Sequence, residues 1–100
     1  MTEIKKGVVL KLPRSVTFEN AAACSQALAT ALAQQKEAEN VAQVLVDAAD
    51  VENFDSSILA VLLQCRRDAI HRNKIFQVVR MPAQLQELSK LYGVDKLLPN

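Results

Sequence analysis

Apolar residues fall along this chain in short alternating runs broken by helical stripes. Residues 8–12 and 15–18 read as two short strands, and Pro13-Arg14 between them predicts a hairpin turn, because proline removes a ladder donor and favours a turn. Asn20 is placed to cap a helix whose apolar face is Cys24, Leu28, Ala31 and Leu32, with Phe18 or Val16 covering its start. Ala21, Ala22, Ala23, Ala27, Ala29, Ala31 and Ala33 add helix propensity and a thin side that permits close approach. Residues 34–40 are polar throughout and predict a surface connection to a strand over 41–46.

The second half repeats the alternation of strand and helix. Ile58, Val61, Leu62, Cys65 and Ala69 recur at helical spacing, which predicts a helix over about 56–71. Residues 75–79 form the next strand candidate, so strand, helix and strand in succession imply a parallel pair. Pro82 opens a further helix, where its missing N–H costs little, and Leu85, Leu88, Leu91 and Tyr92 supply the apolar stripe. Gly93 ends that helix. Leu97 and Leu98 in the tail would each lose about 1.5–3 kcal/mol if left in water, so the tail is expected to dock on the body.

Composition adds limits. The 100 residues predict one domain over 1–100, and a chain of this size buries roughly two thirds of its unfolded surface, enough for a core without staples. Lys and Arg number 12 against 11 Asp and Glu, so bulk charge gives little attraction to nucleic acid or anionic lipid. No stretch approaches the roughly 20 apolar residues that span a bilayer, so a soluble, cytoplasmic protein without direct membrane insertion is expected. Cys24 and Cys65 lie far from any CxxC or metal-ligand spacing and read as small core hydrophobes in a reducing compartment.

The candidate chemistry sits where strand 41–46, closed by Asp47, passes through a loop to Asp55-Ser56-Ser57 and the apolar helix. A helix start carries unpaired amides and the positive end of the macrodipole, so it suits a hydroxyl contact or an added phosphate. Asp and Ser there are also ordinary N-cap residues. Leu59 stands where a reciprocal capping box needs Glu or Gln, and Asp55 can cap instead, which would free Ser56. Other chemistries lack their parts. His71 stands among Arg66, Arg67, Arg72 and Lys74 with no ligand set for a metal, and this basic group reads as a solvated helix face. No GxSxG surrounds Ser56 or Ser57, and Gly7 and Gly93 cannot make a phosphate-cradling loop.

The strand ending in Asp47, the Asp55-Ser56-Ser57 helix start, the following strand, Met81-Pro82 and the leucine helix together resemble a STAS domain over about residues 8–98. The resemblance implies an α/β single domain, a mixed, mostly parallel sheet with helices packed against it, acting as an interaction module and not an enzyme. In that family the hydroxyl residue directly after the Asp is the phosphorylated or partner-contacting position. It falls here on Ser56, with Ser57 at the neighbouring small residue. The family usually has glycine and then leucine next; Ile58-Leu59 stand here, a bulky side chain in the first helical turn that bears against kinase-type recognition.

The ending Leu88-Ser89-Lys90-Leu91-Tyr92-Gly93-Val94 with Leu97-Leu98-Pro99 is similar to the small STAS subunit of the Mla phospholipid transporter of Gram-negative bacteria. That branch implies a protein held at the inner membrane through its partner, the ATPase subunit of an ABC transporter, whose assembly and activity it supports in maintaining outer-membrane lipid asymmetry. It needs no cofactor and takes no nucleic acid. The expected contact surface is Ser56 with Asp55, Ser57, Asn53, Phe54 and Ala60. The alternative is an anti-sigma factor antagonist whose partner is an anti-sigma factor kinase. Phosphate on Ser56 would then add about −1.5 to −2 charges beside Asp55.

Overall fold

The computed structural model describes residues 6–34 and 41–98. Its elements, in order, are β1 (Lys6–Lys11), β2 (Ser15–Val16), α1 (Ala21–Ala33), β3 (Val41–Asp47), β4 (Asn53–Phe54), α2 (Ser57–His71), β5 (Ile75–Val79), α3 (Ala83–Leu91) and a closing 3₁₀ turn, Asp95–Leu97. Strands β1, β3 and β5 form one sheet with β3 in the middle, and β2 pairs with β4 in a separate ribbon. Every pairing among the described residues is parallel, giving the α/β architecture with a mostly parallel sheet that the resemblance implies.

Period-two alternation decides which face of the sheet is covered. Leu10, Leu12, Val44, Val46, Phe76 and Val78 are buried and share one core cluster with Leu28 and Leu32 of α1 and Ile58, Leu59, Val61 and Leu62 of α2. Val9 and Ile75 point the other way and are exposed. The predicted helix stripe is realised in α2, whose buried residues are Ile58, Leu59, Val61, Leu62, Cys65 and Ala69. Each fully buried aliphatic side chain contributes about 1.5–3 kcal/mol, so this stripe holds the helix to the sheet. Burial pushes the Cys24 thiol up and the Cys65 thiol up to about 12, as befits core residues.

Helix ends follow their sequence signals. The chain leaves α2 through Asn73 at φ 61°, with the Lys74 amide donating to the Ala69 carbonyl at 2.9 Å. Gly93 at φ +74° does the same for α3, with the Val94 amide donating to Ser89. Leu98 is then buried in the core, so the tail docks as expected, although Leu97 stays largely exposed.

Three expectations are corrected. First, the 8–12 and 15–18 segments form no hairpin. The Leu12 amide donates to Asp47 and prolongs the β1–β3 ladder; beyond Pro13 the chain turns away and β2 joins β4 instead. Burial of Leu10 and Leu12 against the apolar central strand outweighs the local turn preference of Pro13-Arg14. Second, Asn20 does not cap α1 through its side chain, which turns back to accept from the Thr17 amide and donate to the Ser15 carbonyl, both at 2.8 Å. Of the two residues expected to cover the start of α1, Val16 is the buried one, and Phe18 stands in solvent. Third, the α3 stripe is narrower than expected: Leu85 is buried and Leu88 half-buried, but Leu91 and Tyr92 are exposed, while Ser89, one turn after Leu85, is buried. Of the 34–40 connection only Gln34 is described, its amide donating to Thr30 at the end of α1; residues 35–40 lie outside the described residues. Among the described residues no helix is long and apolar enough to cross a membrane.

Candidate functional site

Two loops meet at the start of α2. The β2–β4 pairing sets Ser15 opposite Asn53 and Val16 opposite Phe54, which brings the segment entering α1 alongside the segment entering α2. The Asn53 side-chain amide donates to Ser15 Oγ at 3.2 Å across this ribbon. Asp55 closes the junction: one carboxylate oxygen accepts from the Ser57 amide at 2.9 Å and the other from the Phe18 amide at 3.0 Å. These two amides, that of Phe18 foremost, hold the Asp55 carboxyl below its usual range, so it is fully charged at neutral pH.

Asp55 therefore does the capping that Ser56 could have done. Ser56 occupies the N-cap position with helical dihedrals, φ −64° and ψ −14°, and its hydroxyl makes no cap hydrogen bond. The residue is exposed. Its hydroxyl is free to donate and to accept, on a helix end whose backbone is fixed by the core behind it. The adjacent Asp55 carboxylate is engaged by the Phe18 and Ser57 amides and makes no hydrogen bond to the Ser56 hydroxyl.

The first-turn amides do not form the open anion site that the sequence suggested. Ser57 donates to the Asp55 side chain, Ile58 to the Asp55 carbonyl at 3.1 Å, and Leu59 to the Ser56 carbonyl at 3.0 Å. A phosphate on Ser56 would find these amides taken and a carboxylate beside it. Ile58, for its part, is 0 % exposed, so its bulk lies in the core and leaves the surface around Ser56 unchanged.

The remaining candidates divide by burial. Asn53 and Ala60 are exposed with Asp55 and Ser56, whereas Ser57 is half-buried and Phe54 packs partly against the core. Ala60, one turn beyond Ser56, lines a hollow of about 260 Å³ with Ala21, Ala22, Ser25, Val61 and Gln64, where the small side chains of α1 and α2 leave space. Sequence reasoning missed Phe18, whose link to Asp55 spans distant parts of the chain; only the pairing of β2 with β4 would have revealed it. It also missed Arg80, which pairs with Asp47 at the sheet end. Adjacent parallel strands ending at Asp47 and Val79 were the available signal. Among the described residues no group of three His, Cys, Asp or Glu side chains could hold a metal ion.

Comparison with known proteins agrees with this architecture. The family described as "Mlab, STAS domain" matches residues 2–99, nearly the whole chain. No curated protein matches it. With its parallel sheet, its Asp55-Ser56 helix start and a family match of that extent, the chain belongs to the MlaB-type STAS domain family.

Proposed function

We propose that this chain is a non-catalytic accessory subunit that binds the cytoplasmic ATPase of an inner-membrane ABC phospholipid transporter and supports its assembly and activity, and thereby outer-membrane lipid asymmetry. The observation that carries the reading is the Ser56 hydroxyl, which is exposed at a rigid helix start and not used by the fold. A small polar group so placed enters a pocket and hydrogen-bonds there with little loss of conformational freedom. Asn53, Asp55 and Ala60 are exposed like it, while Phe54 and Ser57 are half-buried.

In this scheme ATP is bound and hydrolysed by the partner alone. The chain reaches the inner membrane through the ATPase, on the cytoplasmic side, with no cofactor, nucleic acid or inserted segment of its own. The family match to MlaB-type domains supports this branch. Phosphorylation control of an anti-sigma factor is less favoured, because the first-turn amides that would receive a phosphate are already bonded.

Co-purification tests the reading. Affinity capture of the tagged chain from native membranes is expected to retain an ABC ATPase, and Ser56→Glu is expected to abolish that retention. Capture of an anti-sigma kinase in place of the ATPase, or equal retention by Ser56→Glu, contradicts it.

A further inference from the structure

Phe18 is 80 % exposed, an unusual position for a large aromatic in a chain with few of them. Its loop is not loose. The Thr17 amide donates to Asn20 Oδ1, the Glu19 amide to Thr17 Oγ1, the Asn20 amide to the Thr17 carbonyl, and the Asn20 side chain back to Ser15. Val16, two residues earlier, is fully buried and anchors the segment in the core. The ring is thus displayed by a turn whose backbone and side-chain polar groups are bonded to one another.

The same Asp55 carboxylate that fixes the start of α2 also fixes this turn, accepting from the Phe18 amide at 3.0 Å. One side chain therefore sets the spacing between Phe18 and the Ser56 hydroxyl. Ala21 and Ala22, which follow the turn in the chain, and Ala60, one turn beyond Ser56, line one hollow. An apolar ring and a free hydroxyl are thus carried by two segments that one carboxylate holds together.

We infer that Phe18 is an apolar anchor of the docking surface, its ring entering an apolar pocket on the ATPase while the Ser56 hydroxyl hydrogen-bonds beside it. The inference rests on the docking reading above and adds a contact residue to it. Rigid aromatic side chains dominate binding because they bury a large area while losing little rotamer freedom, and the bonded turn removes the cost of ordering the loop. Leu91 is as exposed, at 79 %, but lies at the end of α3 with no hydrogen bond to the Asp55 junction, so it serves as the control for general loss of surface apolarity.

The test is titration of the purified transporter ATPase against the wild-type chain, Phe18→Ala, Phe18→Leu, Leu91→Ala and Ser56→Glu, with thermal melting of each. Phe18→Ala is expected to weaken binding at least tenfold without lowering the melting temperature, Phe18→Leu to retain most of the affinity, and Leu91→Ala to match wild type. Wild-type affinity in Phe18→Ala, with Ser56→Glu impaired, overturns the anchor and leaves the docking reading standing. Equal losses in Phe18→Ala and Leu91→Ala also overturn it. Failure of the wild-type chain to bind the ATPase overturns the docking reading and the anchor with it. Loss in Phe18→Ala with none in Ser56→Glu overturns the docking surface built on Ser56, and with it the anchor's place beside that hydroxyl.

Discussion

Asp47 and Asp55 flank the same loop, and both carboxyls are held below their usual range, yet they are stabilised in opposite ways. Asp47 is 3 % exposed at the end of the central strand. It accepts from the Ala49 amide at 2.9 Å and from Arg80 Nε and Nη2, with the Arg80 hydrogen bond the leading cause of its depressed pKa. Arg80, 66 % exposed, reaches back from a left-handed position at φ 54° just beyond β5. Asp55 is exposed and pairs with no cation among the described residues; the Phe18 and Ser57 amides are the leading causes of its depressed pKa. A carboxylate removed from water requires a counter-charge as well as hydrogen bonds, whereas one at the surface needs only a geometric role. The first closes the sheet. The second ties two loops together and, by taking over the cap, leaves Ser56 uncommitted.

The contrast can be broken at its stronger end first. Asp47→Ala leaves the Ala49 amide and Arg80 without their acceptor and is expected to lower stability by about 1–3 kcal/mol, the ion-pair share being reduced by solvent around Arg80. Urea unfolding reads this as a lower midpoint, and an unchanged midpoint would contradict the structural role. Binding of the folded variant to the ATPase should be unaltered.

Acid titration sharpens the comparison next. Both carboxyls have folded pKa values below the unfolded value of about 4, so their stabilisation is fully present above that value. It is lost as pH falls through the folded values. Stability is therefore expected to decline below about pH 4, and Asp47→Asn to flatten that decline more than Asp55→Asn. The reverse order in pH-dependent unfolding would show that the exposed carboxylate, not the buried one, governs acid stability.

Asp55→Ala is expected to act on binding more than on stability, since it releases both the Phe18 turn and the start of α2. Titration of the ATPase should show a several-fold loss, with Asp55→Asn intermediate because it keeps one acceptor oxygen. The smallest effect is expected for Asn53→Ala, which removes one exposed hydrogen bond to Ser15 and should shift stability by no more than about 0.5 kcal/mol.

Much of the fold was legible because burial follows periodicity. The stripe from Ile58 to Ala69, the apolar run Val44 to Val46 and the strand Ile75–Val79 all carry patterns that a single face of a helix or sheet must satisfy. The misread places are those where distant residues decide. Pro13-Arg14 has the local chemistry of a turn, but the partner of β1 is a strand far along the chain. Asn20 has the chemistry of a cap, but its side chain is drawn to Ser15 and Thr17 by the β2–β4 ribbon. Leu91 and Tyr92 read as part of a helical stripe, but the buried positions of α3 are Leu85 and Ser89. At the site, Ser56 was readable as a hydroxyl at a helix start, and Asp55 as its substitute cap; the occupied amides and Phe18 were not, since both depend on how the two loops meet.

The most direct measurement is isothermal titration of the purified transporter ATPase with the wild-type chain and with Ser56→Glu, each checked for native circular dichroism. The account predicts saturable binding by wild type and at least a tenfold loss in the variant, with melting temperatures alike. Indistinguishable affinities for the two folded proteins would contradict it.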